Sequence, residues 1–357
     1  MKKIITIVGA RPQFIKAAVV SRAIIEHKLP FKELIIHTGQ HFDNNMSEVF
    51  FDELNIPKPN YNLEVGGGSH GQNTGRMIEK IEEVLIKEKP NCVLVYGDTD
   101  STLAGAIAAV KLHIPIAHVE AGLRSFNNFM PEEINRILTD RISEILFTPT
   151  NFATQNLINE GVPKDKIKQV GDIMYDAALY YSSNFINQAD LTKKFNLNAK
   201  EYHLATIHRA ENVDNKNNIN EIINGFAKSK NIIVWPIHPR TYKRLIDFGI
   251  QIPDNILILS PLGYLDMILL EQNAINIITD SGGVQKEAFF HGIPCITIRN
   301  ETEWVELVEL GVNKLISVNS DEIAHALSDF NPSFISNNIY GDGNTAQKII
   351  NLINNII

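Results

Sequence analysis

The chain alternates short runs of apolar, often β-branched residues with longer stretches at helical spacing, and that order limits it to few architectures. Ile4–Val8, Leu34–His37, Cys92–Tyr96 and Ile114–Val119 are nearly continuous in apolar residues, as strands covered on both faces of a parallel sheet must be. Between them, Phe14–Ile25, Gln72–Ile86 and Ser101–Leu112 carry apolar residues along one helical face. This order of elements predicts an α/β fold with a doubly wound parallel sheet. A second series follows Gly171, with strands expected at His203–Ile207, Ile232–Pro236, Ile256–Leu259, Asn276–Thr279 and Cys295–Ile298. Its helices are expected at Ile219–Ala227, Asp266–Glu271 and Val284–Phe290. Two Rossmann-like lobes, residues 1–170 and 171–343, with a cleft between them, are the economical arrangement. The polar, Asn/Lys-rich stretch Tyr180–Glu201 reads as a surface excursion.

Length and charge narrow the class. At 357 residues, each lobe is large enough for its own core. Lys and Arg total 33 against 41 Asp and Glu, a net charge of −8, which argues against partners made of nucleic acid or membrane surface. No run approaches the ~20 apolar residues of a membrane span, and the apolar stretch after Met1-Lys2-Lys3 is too short for a secretory signal. Two cysteines, Cys92 and Cys295, make neither a disulfide framework nor a zinc ribbon. A cytoplasmic enzyme is expected.

In open α/β sheets, ligands sit beyond the carboxyl ends of the strands, and several such ends here carry unusual chemistry. The first strand runs into Gly9-Ala10-Arg11-Pro12, with Lys16 one turn into the next helix. A glycine turn before a helix, with Arg11 as a bidentate clamp, suits an anion. It is not the GxGxxG fingerprint, so a nicotinamide dinucleotide is not expected. The third strand delivers Gly97-Asp98-Thr99-Asp100, and the fourth Glu120 to Arg124, with His118 just before. Asp98 and Glu120 then end neighbouring strands, and two carboxylates held close push one pKa up, as a general acid/base pair requires. A cation site from Asp98, Asp100, His118 and Glu120 is the rival, weakened by Arg11, Arg124 and Arg136, which are expected to converge there. Pro131 opens a helix with Glu132 and Glu133 in its first turn, where the dipole alone explains acids.

In the second lobe, His208-Arg209 and His238-Pro239-Arg240 follow strands, and Thr279-Asp280-Ser281-Gly282-Gly283 precedes a helix. Ser281, Gly282 and Gly283 would offer backbone N–H groups to a nucleotide diphosphate, with Glu287 one turn on to accept from ribose hydroxyls. Cys92, Cys295, Trp235 and Trp304 read as packing residues, and Gly66–Gly68 as a flexible turn.

These motifs, with Pro131-Glu132-Glu133-Ile134-Asn135-Arg136 and Tyr340-Gly341-Asp342-Gly343, resemble the non-hydrolysing UDP-N-acetylglucosamine 2-epimerases over nearly the whole chain. The resemblance implies a GT-B fold whose last helix, 344–357, packs back onto the N-terminal lobe, with UDP bound by the C-terminal one. It implies inversion at C2 of a UDP-2-acetamido sugar by anti elimination of UDP and its re-addition, without metal or other cofactor, in a homodimer that serves O-antigen or capsule synthesis. Asp98, Glu120, Glu133, His208, Lys16 and Arg136 map onto catalytic positions. Arg11, His238, Ser281, Gly282, Gly283 and Glu287 map onto the UDP site. Gln40 is retained from the effector-site pattern of many bacterial members, whereas Asp43, Gly67 and Ala210 depart from it, and Met267 stands where an aromatic often faces uracil. Gln40-His41-Phe42-Asp43, His208 to Asn212 and Thr302 to Glu306 resemble the subgroup acting on UDP-2,3-diacetamido-2,3-dideoxyglucuronate. A hydrolysing 2-epimerase, a GT-B glycosyltransferase and a nucleotide-sugar sensor are the alternatives.

Overall fold

The computed structural model describes residues 2–27, 30–40, 58–187, 189–333 and 338–356. The chain forms two compact units, Met1–Ala177 with Asn337–Ile357, and Ala178–Ser336. The first is built on β1 (Lys2–Val8), β2 (Phe31–His37), β3 (Tyr61–Asn62), β4 (Cys92–Tyr96), β5 (Ile116–Val119), β6 (Ile145–Thr148) and β7 (Ile167–Gln169). These pair in parallel in the order β3-β2-β1-β4-β5-β6-β7. The second sheet contains β8 (Tyr202–Thr206), β9 (Ile232–Pro236), β10 (Ile256–Leu259), β11 (Ile277–Thr279), β12 (Cys295–Ile298) and β13 (Asn313–Ile316), in the order β10-β9-β8-β11-β12-β13. It too is parallel throughout.

In both sheets the order reverses after the first strand: the chain winds outward from β1 or β8 on one side and resumes at β4 or β11 on the other. Ligands collect at such switch points, because the connections diverge to opposite faces and leave a crevice at the carboxyl ends. The residues after β1 and β4 are Gly9 to Arg11 and Gly97-Asp98; those after β8 and β11 are Ile207-His208 and Asp280-Ser281. Topology thus places the sequence motifs at the two crevices.

The helices of the first unit are α1 (Arg11–Glu26), α2 (His70–Glu88), α3 (Asp100–Lys111), α4 (Pro131–Ile142) and α5 (Asn151–Asn159), with α6 (Ile173–Phe185) running on into the second. Then follow α7 (Ala189–Phe195), α8 (Ala210–Val213), α9 (Lys216–Ala227), α10 (Pro239–Asp247), α11 (Tyr264–Asn273), α12 (Gly282–Phe290), α13 (Val305–Glu309) and α14 (Ser320–Asp329). The last, α15 (Thr345–Ile356), packs on α1 within the first unit. Its start is tied down by Asp176, whose carboxylate accepts from the Ala346 N–H at 2.8 Å. Ser69, Thr99 and Thr150 cap α2, α3 and α5 through their hydroxyls, each satisfying an N–H that the helix leaves unpaired. Among the described residues, no helix is long and apolar enough to cross a membrane.

The elements differ from expectation in two respects. The strands β3, β6, β7 and β13 were not expected; β3 and β7, with two and three residues, are too short for a sequence pattern to stand out. The stretch Tyr180–Glu201 is not a surface excursion: it holds the end of α6 and all of α7, with Tyr181, Leu191 and Leu197 buried. Leu191 and Leu197 join the apolar cluster with Leu204, Leu270 and Ile277. Its polar residues cover the outer face of a short amphipathic helix, a period that seven residues barely display.

The second unit also buries an acid against a base. Glu271 at the end of α11 and His291 after α12 lie 3.5 Å apart, with side chains only 1% and 2% exposed. Burial pushes the Glu271 carboxyl up to about 8 from its ordinary 4.5. Burial also pushes the His291 imidazole down to about 4 from 6.5. The folded state therefore keeps a proton on Glu271 that the unfolded chain releases, so stability falls as pH rises from 4.5 to 8. His291 has the opposite slope between 4 and 6.5. The two cancel until the upper end of the His291 range, leaving a decline up to the Glu271 value. Thermal melts against pH should show this decline, and Glu271→Gln should flatten it. Parallel melting curves of the two proteins would refute the assignment.

Candidate functional site

In the first unit, α1 starts directly after β1. An added Cβ on Gly9 would lie 2.0 Å from Ser101 Oγ and 2.2 Å from Thr38 Oγ1, so only glycine fits. The turn is not an open anion cradle, as the sequence suggested. Gln13 Oε1 accepts from the N–H groups of Gly9 and Ala10 at 2.8 and 3.0 Å, and Gln13 Nε2 donates to the Tyr96 carbonyl. Gln13 thereby locks β1 to β4, and Arg11 is half-buried at the start of α1.

Lys16 does not join Arg11 at the helix tip. Its ammonium is buried and paired with Glu120. Glu120 follows β5 with φ +71°, in the left-handed region that few residues other than glycine adopt, a kind of strain that gathers at functional sites. Gly97, at φ +62°, lies against this pair: a Cβ there would meet Glu120 Oε2 at 3.3 Å and Lys16 Nζ at 3.4 Å.

Asp98 binds a different cation. Its Oδ2 pairs with Arg136 of α4, and the same guanidinium reaches Glu133 one turn earlier. Asp98 and Glu120, expected as a pair, thus have different cation partners. Glu133 is almost fully buried and accepts from Ser125 N at 2.9 Å, Ser125 Oγ at 3.0 Å and Phe126 N at 3.0 Å, besides Arg136. Burial alone would raise its pKa, but the Ser125 N–H and Arg136 outweigh it and hold the carboxyl below the usual glutamate range.

Two expected members lie elsewhere. Arg124 turns inward, to Asp140 Oδ2 at 2.8 Å and Glu160 at 2.7 and 2.8 Å, so it does not converge with Arg11 and Arg136. His118 is fully buried, with Nδ1 2.7 Å from Asp140 and Nε2 2.7 Å from the Gly97 carbonyl. Both its nitrogens are engaged, which removes it from the rival cation site. Among the described residues, no group of three or more His, Cys, Asp or Glu is placed to hold a metal ion. Asn135 is central instead, donating to the Asp98 carbonyl at 3.0 Å and to Asp100 Oδ1 at 3.1 Å.

In the second unit, fully buried Asp280 ends β11 and accepts from the His208 and Arg209 N–H groups and from Asn212 Nδ2, all near 3.0 Å. It thus shapes the β8 exit, where the exposed His208 ring keeps Nδ1 3.4 Å from Asp280 Oδ1. Ser281 occupies the cap position of α12 without a side-chain cap bond, and Gly282 and Gly283 are the helix's first residues rather than a turn ahead of it. A Cβ on Gly282 would fall 2.0 Å from Glu303 Oε1, whereas one on Gly283 would meet nothing within 4 Å. Trp304 Nε1 donates to the Gly282 carbonyl at 2.9 Å, and Lys286 Nζ lies 4.3 Å from the centroid of a Trp304 ring. The Thr302 hydroxyl donates to Gln285 of the same helix at 2.6 Å. The Thr302–Trp304 segment thus braces the first turns of α12, a role its sequence does not advertise. Glu287 is half-buried one turn further on. His238 caps α10, its Nδ1 accepting from Arg240 N at 3.2 Å. Met267 is half-buried against an apolar cluster, Ala210 opens α8, and Gly67 sits in a loop at φ +70°. His41, Phe42 and Asp43 lie outside the described residues.

A family model described as UDP-N-acetylglucosamine 2-epimerase matches residues 23–354. A Methanococcus maripaludis protein named as a homolog of that enzyme is 55% identical, over 99% of this chain and 100% of its own. The UDP-2,3-diacetamido-2,3-dideoxy-D-glucuronate 2-epimerase of Pseudomonas aeruginosa is 51% identical, over 97% and 98%. The crystal structure of Methanocaldococcus jannaschii UDP-GlcNAc 2-epimerase, in complex with UDP-GlcNAc and UDP, superposes with a TM-score of 0.88 at 44% identity, covering 98% of this chain and 99% of that one. The two parallel-sheet α/β units match the GT-B-like structures of such epimerases.

Proposed function

Because this chain belongs to the UDP-N-acetylglucosamine 2-epimerase family, we propose that it is an isomerase inverting C2 of a UDP-2-acetamido sugar without releasing free sugar. The observation that carries this reading is the pair of separately neutralised carboxylates after β4 and β5, Asp98 with Arg136 and Glu120 with Lys16. Epimerisation needs one group to take the C2 proton and another to return one to the opposite face. In the forward half, the C2–H bond breaks toward a carboxylate and the C1–O bond breaks with its electron pair leaving on UDP, which gives a glycal. In the return half, a phosphate oxygen of UDP re-forms the bond to C1 while the second acid protonates C2. Two carboxylates at neighbouring strand exits, each held by its own cation, supply two candidate groups for these roles.

The departing diphosphate gains charge in the transition state. Arg11, His208 and the N-terminus of α12 at Ser281, Gly282 and Gly283 are the groups proposed to stabilise it. Glu287 is proposed as the ribose acceptor, with His238 on the nucleotide side. Either UDP-GlcNAc or UDP-2,3-diacetamido-2,3-dideoxyglucuronate is the substrate, and the assay is run with both. In D2O, NMR should show deuterium entering C2 while both epimers stay linked to UDP. Free sugar would point to a hydrolysing enzyme, and absence of exchange to a glycosyltransferase or a sensor.

The α12 turn supplies a further expectation. Gly282→Ala puts a Cβ 2.0 Å from Glu303 Oε1, so that carboxylate must swing off the start of α12, and UDP affinity measured by calorimetry should fall by more than about threefold. Gly283→Ala meets no protein atom within 4 Å, so it should leave the melting temperature close to that of the unmodified protein. Equal affinity in all three proteins would remove the turn from the UDP site.

A further inference from the structure

We propose that His70 is a positioning residue for the epimerisation: anchored on Asp100, it fixes through Asn135 the turn that carries Asp98. The proposal rests on the epimerase reading above, and it concerns a residue outside every motif that carries that reading.

His70 is the first residue of α2, directly after the cap Ser69. Its Nδ1 lies 2.8 Å from Asp100 Oδ2, in the first turn of α3. The two side chains differ sharply in exposure, 72% for His70 and 9% for Asp100. A carboxylate so poorly hydrated needs partners for both oxygens. Oδ2 has the imidazole, and Oδ1 has Asn135 Nδ2 of α4 at 3.1 Å. The same Nδ2 donates to the backbone carbonyl of Asp98 at 3.0 Å. One chain of contacts thus joins three helices and ends on the residue whose carboxylate meets Arg136.

An ordinary surface role explains this poorly. A cation in the first turn of a helix faces the positive end of the dipole, where acids are favoured. The hydrogen bond to Asp100 and its charge overcome that disadvantage. The charged groups facing the ring are Asp100 from α3 and Glu132 from α4, and together, Asp100 first, they raise the imidazole pKa above its ordinary value. Since the folded-state pKa is raised, the imidazolium is fully present at low pH and lost as pH rises through that value. The brace on the Asp98 turn should therefore weaken on the alkaline side.

Three proteins test this. With C2 deuterium exchange as readout, His70→Ala should lower kcat about tenfold while KM changes less than about twofold, because a displaced Asp98 affects the chemical step more than binding. His70→Gln keeps a neutral donor for Asp100 and should recover most of kcat. It should also lack the alkaline limb that the wild-type profile shows above the imidazole pKa. Wild-type kcat in His70→Ala, or the same limb persisting in His70→Gln, overturns the proposal. NMR titration of the free wild-type protein needs no turnover: a His70 ring titrating above the ordinary histidine range supports the Asp100 anchor, and an ordinary value overturns it. If the wild type exchanges no deuterium with either sugar, the epimerase reading fails, and this titration still decides on the anchor.

Discussion

Asp98→Asn should reduce deuterium incorporation at C2 by about 10²- to 10⁴-fold, the range a positioned proton-transfer group contributes. The substitution keeps the shape of the side chain and leaves Asn135 bonded to the backbone carbonyl, which Asp98 supplies whatever its side chain. Arg136 also retains Glu133, so the fold should survive with a melting temperature close to that of the wild type. UDP affinity should stay within a few-fold, because the groups proposed to hold the diphosphate lie after β1, β8 and β11. Substantial turnover by a folded Asp98→Asn protein would remove Asp98 from proton transfer. Loss of UDP binding along with turnover would point to a general collapse of the site.

Glu120→Gln should do something different. Glu120 and Lys16 have side chains only 11% and 8% exposed, so removing the carboxylate leaves a buried ammonium without its counter-charge. Breaking such a pair from one side costs about 3–5 kcal/mol, and turnover should fall at the same time. The companion variant Lys16→Met in the Glu120→Gln background removes the stranded cation. It should recover much of the stability but none of the turnover. Chemical denaturation of the three proteins measures the first effect, and C2 exchange the second. If Glu120→Gln alone is as stable as wild type, the pair does not contribute as its burial implies.

The two expectations differ although Asp98 and Glu120 end neighbouring strands. Asp98 is 31% exposed and its guanidinium partner is shared with Glu133, so losing one acceptor leaves another. Glu120 sits at positive φ between Lys16 and Gly97. Its ammonium partner is almost fully buried with it.

Much of this was legible in the residues. The runs Cys92–Tyr96, Ile232–Pro236, Ile256–Leu259 and Cys295–Ile298 coincide with β4, β9, β10 and β12, because a strand covered on both faces must be apolar at every position. Asp98, Glu120, Arg136, His208 and Ser281 stand out as polar residues directly after such runs or opening the helices that follow. The connectivity pattern also implied that these ends face a ligand. Shorter elements escaped: β7 has three residues and β3 two, too few for any period to be counted, and α7 was hidden by its polar outer face.

Pairing was decided elsewhere. Lys16 and Glu120 are 104 residues apart, and their contact depends on β1, β4 and β5 lying side by side in register. Arg124 looked like a site residue until packing placed the buried Asp140 and the exposed Glu160 against its guanidinium. His70 carried no signal because its partner Asp100 comes from another helix. The sequence by itself determined the class of fold, the polar residues that follow its strands and the family, since these follow from local periodicity and from short motifs read in order. Only the tertiary structure decided which cation each carboxylate holds, which histidine is buried and which is exposed, and which helix start the glycines leave open. Those choices are made by distance and desolvation between segments far apart in the chain, and no local pattern encodes them.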